Sequence, residues 1–444
     1  MYNLFGGDKV DKEQLKEQVS QAIDKHRDEI IRIGEQIFNN PELGYKEYKT
    51  SALVKEVFRN LDLPYEENLA ITGVKALAEG KKHDVKVAIM GELDAVVSHT
   101  HPCADPSTGA AHACGHNAQI ASMLGAAMGL LLGGAMDKLD GDVAFMAVPA
   151  EEYVELEFRE RLRDEGKIKF FGGKQEFIRI GAFDDVDMAM MVHSAAGVED
   201  RKAFVYGGSI GFIGKTVRYK GKEAHAGAEP HKGINALNAA MLGLMAVHVQ
   251  RETFRDEDQV RVHPIITKGG DLVNIVPADV RLETYVRAKT IDAVVSANEK
   301  VNRALKAGAY AVGAEIEINE IPGYLPLEQD PTLGRLFAEN IQGFIGKENI
   351  IEGVDLTGST DAGDVSLIMP TLHPTVGGFS GIAHSKDFKI SDPEMVYIIP
   401  AKAMALTVVD LLFDKAKLAK EIKSKFKPSF TKESYLKFWD ELIN

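Results

Sequence analysis

Cysteine is nearly absent from this chain: Cys103 and Cys114 are the only two in 444 residues. Two thiols cannot frame a chain of this size, so a disulfide scaffold is excluded and a reducing, cytoplasmic setting is expected. Basic charge is also in deficit, with 52 Lys plus Arg against 66 Asp plus Glu and a net charge of −14. Such a field repels phosphate backbones and anionic membrane surfaces, so neither nucleic acid nor membrane is an expected partner. Proline is scarce at 16 beside 41 glycines, which fits many tight turns between strands and helices. The opening MYNLFGGDKVDKEQ has no basic leader and no apolar run, so no signal peptide is expected. The uncharged run from Ile120 to Met136 is close to the shortest membrane span, but it is rich in small residues and lacks a basic flank. A buried helix is the expectation there. No internal repeat or low-complexity linker is present. What remains is an average globular composition, 45% hydrophobic and 27% charged, in a length that predicts two or three domains.

From Leu15 to Ile37 apolar residues recur at three-and-four spacing, predicting an amphipathic helix that stops near Asn39-Asn40-Pro41. A second helix is predicted over Thr50 to Leu61. Three short apolar runs, Val85 to Met90, Val143 to Val148 and Met188 to Val192, read as buried strands. Each is soon followed by polar residues: Glu92 and Asp94, Glu151 and Glu152, and His193. Strands alternating with helices predict an α/β sheet whose strand ends share one ligand-facing rim. From Gly208 the texture changes to strands (Ile210 to Tyr219, Val260 to Thr267, Asp279 to Arg287) among long helices (Ile234 to Glu252, Ile291 to Val312). That predicts an inserted α+β, ferredoxin-like domain over 208–322, with 1–207 and 323–444 forming one discontinuous α/β/α domain. Leu367 to Leu372 and a helix over Asp392 to Phe413 would complete that domain. Lys415 to Lys427 reads as a solvated helix face.

The densest chemical cluster is His112-Ala113-Cys114-Gly115-His116. Gly115 permits a tight turn that aims a thiolate and an imidazole at one point, a good donor pair for zinc. Taken alone, a Cys-x-His pair is more often a buried structural feature. Glu151-Glu152 follows a strand, where one carboxylate can bind metal and its neighbour accept a proton from water; an exposed acidic turn is the plain alternative. His193 follows the third strand, and His384 lies in a loop with Gly377, Gly378 and Gly381.

Asp94 after a strand, HACGHN at 112–117, PAEE at 149–152, VHS at 192–194, KEAHAGAEPHKGINAL at 222–237, GSTDAGDVS at 358–366 and GGFSGIAHS at 377–385 stand in the order found in the M20 family of metallopeptidases. The chain resembles the amidohydrolase branch of that family, subfamily D, which includes N-acyl-amino-acid and aminobenzoyl-glutamate hydrolases. The resemblance runs from Pro41-Glu42-Leu43-Gly44 to the helix near Leu406. It implies two divalent metal ions, zinc or manganese, held by Cys114, His116, Glu152, His193 and His384, with Cys114 bridging. It implies Glu151 as general base and Asp94 behind the ligands, orienting a histidine. His225, acting from the partner subunit, and Asn274 are implied around the oxyanion, and Thr360 and Asp361 on the substrate side. A homodimer through the inserted domain follows from the same resemblance.

The implied activity is hydrolysis of the amide bond of an N-acyl amino acid or an aminobenzoyl-glutamate-like compound. A dipeptidase or carboxypeptidase of the same family is the alternative, and a metal-free binding relative is disfavoured by the presence of every matched ligand. Asn117 and Gln119 stand where many amidohydrolases have Asp and His, a form similar to the aminobenzoyl-glutamate-like members. Two stretches are unusual. Tyr153 to Phe171 is a charged insertion after Glu152 that either borders the pocket or subunit contact or merely decorates the surface. His99, His101 and Cys103 are expected in a loop without metal.

Overall fold

A computed structural model of the protein describes residues 11–443; residues 1–10, where no leader is expected, and Asn444 lie outside the described residues. Two compact units divide the chain. The larger takes the described residues up to Gly208 with Glu328–Asp355 and Val365–Phe430; the smaller takes Ser209–Leu327, Leu356–Asp364 and the described residues from Thr431. The sequence predicts everything after residue 322 in the larger domain; the first boundary falls instead after Leu327, and two later pieces, Leu356–Asp364 and the described residues from Thr431, also belong to the smaller unit. The reason is local: Tyr435 Oη donates to Asp364 Oδ1 at 2.8 Å and Leu325 N to Asp364 Oδ2 at 3.3 Å, tying both pieces to the smaller unit. Leu356–Asp364 has no apolar pattern, and the apolar spacing of the C-terminal helix (Lys432–Ile443, with Tyr435 and Trp439 buried) does not say which unit it joins.

The larger unit is built on a six-stranded sheet. Its strands are β1 (Tyr65–Leu69), β2 (Gly73–Ala78), β3 (Lys86–Glu92), β4 (Asp142–Val148), β5 (Met188–Met190) and the short Thr371–Leu372, in the order β1-β2-β4-β3-β5-Thr371–Leu372. The last four run parallel, while β1 and β2 form an antiparallel edge that the apolar runs do not predict. Every residue of β4 is buried, as a near-continuous apolar strand in a parallel sheet should be.

Helix α1 (Lys12–Lys25) and helix α2 (Arg27–Phe38) replace the single helix expected there; His26, at φ −101° and ψ 12°, breaks the run between them. Next come α3 (Tyr48–Asn60), α4 (His116–Leu132), α5 (Leu156–Asp164) and α6 (Gly173–Ile180). Helix α4 occupies the suspected span and is buried from His116 through Leu130, apolar all round as a core helix must be. Its Gly125 and Gly129 admit Ile30 and Ile23 at contact distance. Each such buried isoleucine contributes about 1.5–3 kcal/mol.

Among the described residues one helix, Glu394–Lys425, is long and apolar enough to cross a membrane, and 89% of its apolar window is buried inside the protein. Its C-terminal part is not wholly solvated as expected: Lys417, Lys420 and Lys423 face out, but Ala416, Ala419 and Ile422 are buried.

The smaller unit runs β6 (Gly211–Lys220), α7 (Ala236–Val249), β7 (Arg261–Lys268), β8 (Asp279–Ala288), α8 (Ile291–Val312), β9 (Glu315–Ile321). Its antiparallel sheet has the order β7-β8-β6-β9, the βαββαβ arrangement of a ferredoxin-like fold. Strand β9, EIEINEI, alternates as far as Ile318, then breaks at Asn319-Glu320, and it completes a sheet of which the sequence predicts three strands.

Candidate metal centre

Parallel strands deliver their C-terminal ends to one rim, and the chemistry-bearing residues of the larger unit follow from that. Strand β3 ends at Glu92 and leads to Asp94; β4 leads to Glu151 and Glu152; β5 leads to His193. Cys114 and His116 arrive on the turn into α4. Gly115 there has φ +89°, a conformation a residue with a Cβ seldom adopts, so the predicted tight turn rests on this glycine. His384 comes from the Gly-rich loop, its backbone N–H donating to Ala113 O at 2.8 Å.

These side chains converge in two groups. Donor atoms of Cys114, His116 and His193 lie within 4.8 Å of one another, and so do those of Cys114, Glu152 and His384. Cys114 belongs to both. Its Sγ is 3.6 Å from His193 Nε2, and His384 Nε2 is 3.2 Å from Glu152 Oε1.

Two of the imidazoles are oriented from behind. His116 Nδ1 donates to Asp94 O at 2.9 Å and lies 3.3 Å from Asp94 Oδ1, while His193 Nδ1 donates to Ser194 O at 3.1 Å. Both rings therefore carry the proton on Nδ1 and present Nε2 inward, the arrangement that metal-binding histidines require. Asp94 also accepts the Glu152 backbone N–H at 2.9 Å on Oδ2. His116 Nε2 and Glu152 Oε1 are both buried and face other members of the cluster, Glu92 Oε2 at 3.0 Å and His384 Nε2 at 3.2 Å respectively. A thiolate, imidazoles and a carboxylate with such inward-facing donors fit a pair of divalent ions.

The electrostatics agree with an anionic donor set. Burial and Glu152 push the Cys114 thiol up, but His193 and His116 outweigh them and bring it down to about 6. Burial likewise raises Glu152, yet the hydrogen bond and charge of His384 hold it at about 2. His384 is pushed up to about 11 by its hydrogen bonds to Cys114 and Glu152.

A third group, Glu92, His116 and Glu151, adjoins the first. His116 Nε2 is 3.0 Å from Glu92 Oε2 and 3.8 Å from Glu151 Oε2. Glu92 is fully buried, pairs with the equally buried Lys174 and accepts Gln119 Nε2 at 2.7 Å. Lys174 is thus part of the centre's charge balance, and nothing in the sequence singles it out, since KQE at 174–176 reads as an ordinary polar stretch. Glu47 was also missed: it is fully buried and accepts the Ala150 N–H at 2.8 Å and the Thr72 hydroxyl at 2.6 Å.

The other histidines of the motifs do not join these groups. His112 is buried, with neither ring nitrogen hydrogen-bonded among the described residues, and burial pushes it down to about 3. His101 Nε2 donates to Phe388 O at 2.9 Å and its Nδ1 accepts Cys103 N–H at 3.1 Å, a structural loop role. Cys103 and Cys114 are both free thiols.

The remaining candidates belong to the smaller unit. His225 is exposed; its Nδ1 accepts the N–H groups of Gly227 at 3.2 Å and Ala228 at 3.0 Å, leaving the proton on Nε2. Asn274 is exposed and its carbonyl accepts Ala226 N–H at 2.9 Å. Thr360 and Asp361 are buried, with Thr360 Oγ1 accepting Ala362 N–H at 3.2 Å.

Residues 88–408 match the model of peptidase family M20/M25/M40. Among curated relatives, Xaa-Arg dipeptidase of Mus musculus is 28% identical over 96% of this chain and 95% of its own. N-acyl-L-amino acid amidohydrolase of Geobacillus stearothermophilus is 27% identical over 72% of this chain and 84% of its own. Among solved structures, a dinuclear metal-binding M20 peptidase from Bacillus subtilis shares the fold with a TM-score of 0.67, covering 88% of this chain and 99% of that one at 21% identity. With the family model spanning most of the chain and ending beyond the last ligand candidate, this protein belongs to peptidase family M20/M25/M40 and is a metal-dependent hydrolase.

Proposed function

We propose that the chain is a binuclear amidohydrolase that releases an amino acid from a small acylated or dipeptide-like substrate, with its ions held by Cys114, His116 and His193 and by Cys114, Glu152 and His384. The observation that carries this reading is the sharing of Cys114 between the two donor groups. Zinc suits the thiolate and imidazole donors, with manganese the alternative. Bound there, such ions acidify a water and polarise the scissile carbonyl.

Glu151, next in sequence to the ligand Glu152 and 3.8 Å from His116 Nε2, takes the proton from the attacking water and returns it to the leaving amine. Asp94 keeps His116 in its ligating tautomer. His225, with its proton fixed on Nε2 by two backbone donors to Nδ1, offers an N–H to the developing oxyanion, and Asn274 a second donor. Thr360 and Asp361 line the substrate side. His225 acts on the partner's centre in a homodimer joined through the smaller unit. That partner surface is supported by Met241, Met245 and Val249, exposed along α7, and by Ile265, exposed on the edge strand β7.

Between the two substrate classes the full-length likeness to Xaa-Arg dipeptidase favours dipeptides, whereas the likeness to the amidohydrolase supports N-acyl amino acids over a shorter stretch. Elemental analysis beside a hydrolysis panel of Xaa-Arg and other dipeptides, N-acyl amino acids and aminobenzoyl-glutamate tests this. Two metal equivalents with release from dipeptides support the proposal in its dipeptidase form. Protein that binds no divalent metal, or is inactive on the whole panel when loaded, sinks it.

A further inference from the structure

The 153–171 insertion carries one residue that a surface decoration does not need. Arg159, on α5, is wholly buried, and among the described residues no carboxylate pairs with it. An unpaired guanidinium is costly to bury, so its partners disclose its purpose. Nη1 donates to Phe171 O at 2.7 Å, at the far end of the insertion, and Nη2 donates to the carbonyl of Glu152. The guanidinium carbon sits 5.5 Å from the centre of the Tyr45 ring, whose hydroxyl donates to Phe170 O at 3.0 Å.

The turn that Arg159 grips is the one that must aim two adjacent carboxylates differently. Ala150 enters it at φ +56°, a strained conformation for a residue with a Cβ. Such strain persists only where the surroundings over-determine it, and here five hydrogen bonds do so. Ala150 N–H is held by Glu47, Ala150 O by Gly173 N–H at 3.2 Å, Glu152 N–H by Asp94, and Glu152 O by both Val154 N–H at 2.9 Å and Arg159. Three of these anchors come from the sheet domain's own motifs or the helices beside them; the other two come from the insertion, Val154 through its backbone and Arg159 through its side chain.

From this we infer that Arg159 is a positioning residue for the Glu151–Glu152 pair, and that the insertion is a working part of the metal centre. The inference rests on the proposed roles of Glu151 as base and Glu152 as ligand. A planar two-donor fork suits the task, since it spans Glu152 O and Phe171 O at once, which an ammonium does less well.

The test compares Arg159→Met, Arg159→Lys, the exposed control Arg161→Met and Glu151→Gln in the full-length protein. Co2+ is titrated into metal-stripped protein, and kcat and KM are measured on an alanyl-arginine dipeptide, normalised to folded protein. Arg159→Met is expected to weaken one Co2+ equivalent and to lower kcat by about tenfold or more, with KM within about threefold. Arg159→Lys regains part of both losses, and Arg161→Met matches wild type. The inference is overturned if folded Arg159→Met binds Co2+ and turns over as wild type, or if its activity falls only with its folded fraction. Should the Met variant not fold, Arg159→Lys decides: wild-type Co2+ binding and kcat overturn the inference, and a loss in both at unchanged thermal stability upholds it. Failure of the underlying reading looks different, because then Glu151→Gln retains turnover or the wild type binds no Co2+.

Discussion

Asp94 and Glu152, 58 positions apart, are joined by a hydrogen bond from the Glu152 backbone N–H to Asp94 Oδ2 at 2.9 Å. The same Asp94 accepts His116 Nδ1–H on its carbonyl oxygen. One aspartate after β3 therefore sets the position of a donor in each of the two groups. This couples the two halves of the centre through a side chain that need not touch a metal ion itself.

Sharing Cys114 makes the two proposed sites unequal in their response to mutation. Replacing a thiolate by a hydroxyl removes a donor from both groups, whereas His384→Ala removes one from the second group only. Cys114→Ser is expected to lose both metal equivalents at low micromolar metal and His384→Ala to keep one. Elemental analysis after desalting reads the difference, and a full complement in Cys114→Ser contradicts the bridging role.

If His225 serves the partner's centre, two inactive variants complement each other. His225→Ala retains Glu151, and Glu151→Gln retains His225, so a mixed dimer has one intact centre of two. Each variant alone should lose about 10²–10⁴-fold in kcat. Co-refolded or subunit-exchanged mixtures should return to about a quarter of wild-type activity by statistical pairing. No recovery in demonstrably mixed dimers places His225 in its own subunit's reaction or in none.

Glu47 gives a pH dependence of stability. Burial, and then the charge of Asp94, push its carboxyl up to about 8 from an ordinary value of 4.5. A raised carboxyl keeps its proton in the fold while the unfolded chain loses it, so stability from this group is full below about 4.5 and declines as pH rises to about 8. Gln at this position imitates the protonated form at every pH. Glu47→Gln should therefore gain on wild type steadily between those limits and level off above. Denaturant midpoints of both proteins across pH 5–9 in one metal-replete buffer decide it, and a difference that does not vary with pH refutes the assignment.

Gly44 lies where a Cβ would stand 2.5 Å from Arg159 Nη2 and 2.9 Å from both Cα and Cβ of Ala150. Gly44→Ala must displace the guanidinium or the strained turn, an overpacking cost of about 1–3 kcal/mol. A lower thermal midpoint and a reduced kcat are expected together. An unchanged midpoint shows that the turn yields freely.

What could be read from the residues was whatever has a period or a motif. The apolar run of β4 sufficed for its strand, the helical spacing over α1 and α2 for helix but not for the break at His26, and the ordered motifs to nominate the donors that the rim gathers. Anchors without a pattern stayed hidden. Glu47 and Arg159 look like ordinary surface charges in KEYKT and FRERLRD, and both are buried through contacts more than 100 positions away, with Ala150 and with Tyr45 respectively. Strand β1, with glutamates at two of its five positions, reads as polar and becomes a strand only by pairing with β2. Strand β9 escapes an alternation test because Asn319 and Glu320 stand together in it.

The division of the chain also constrains the order in which the protein is completed during synthesis. The backbone passes between units at 208/209, 327/328, 355/356, 364/365 and 430/431. Most of the smaller unit, residues 209–327, emerges from the ribosome before the larger unit has its last strand, its long closing helix or His384. Four of the five proposed donors therefore wait, with a reactive thiol among them, while some two hundred further residues are translated. Neither unit is a contiguous segment that could be cut out and expressed whole, and the smaller one is finished only when the C-terminal helix arrives.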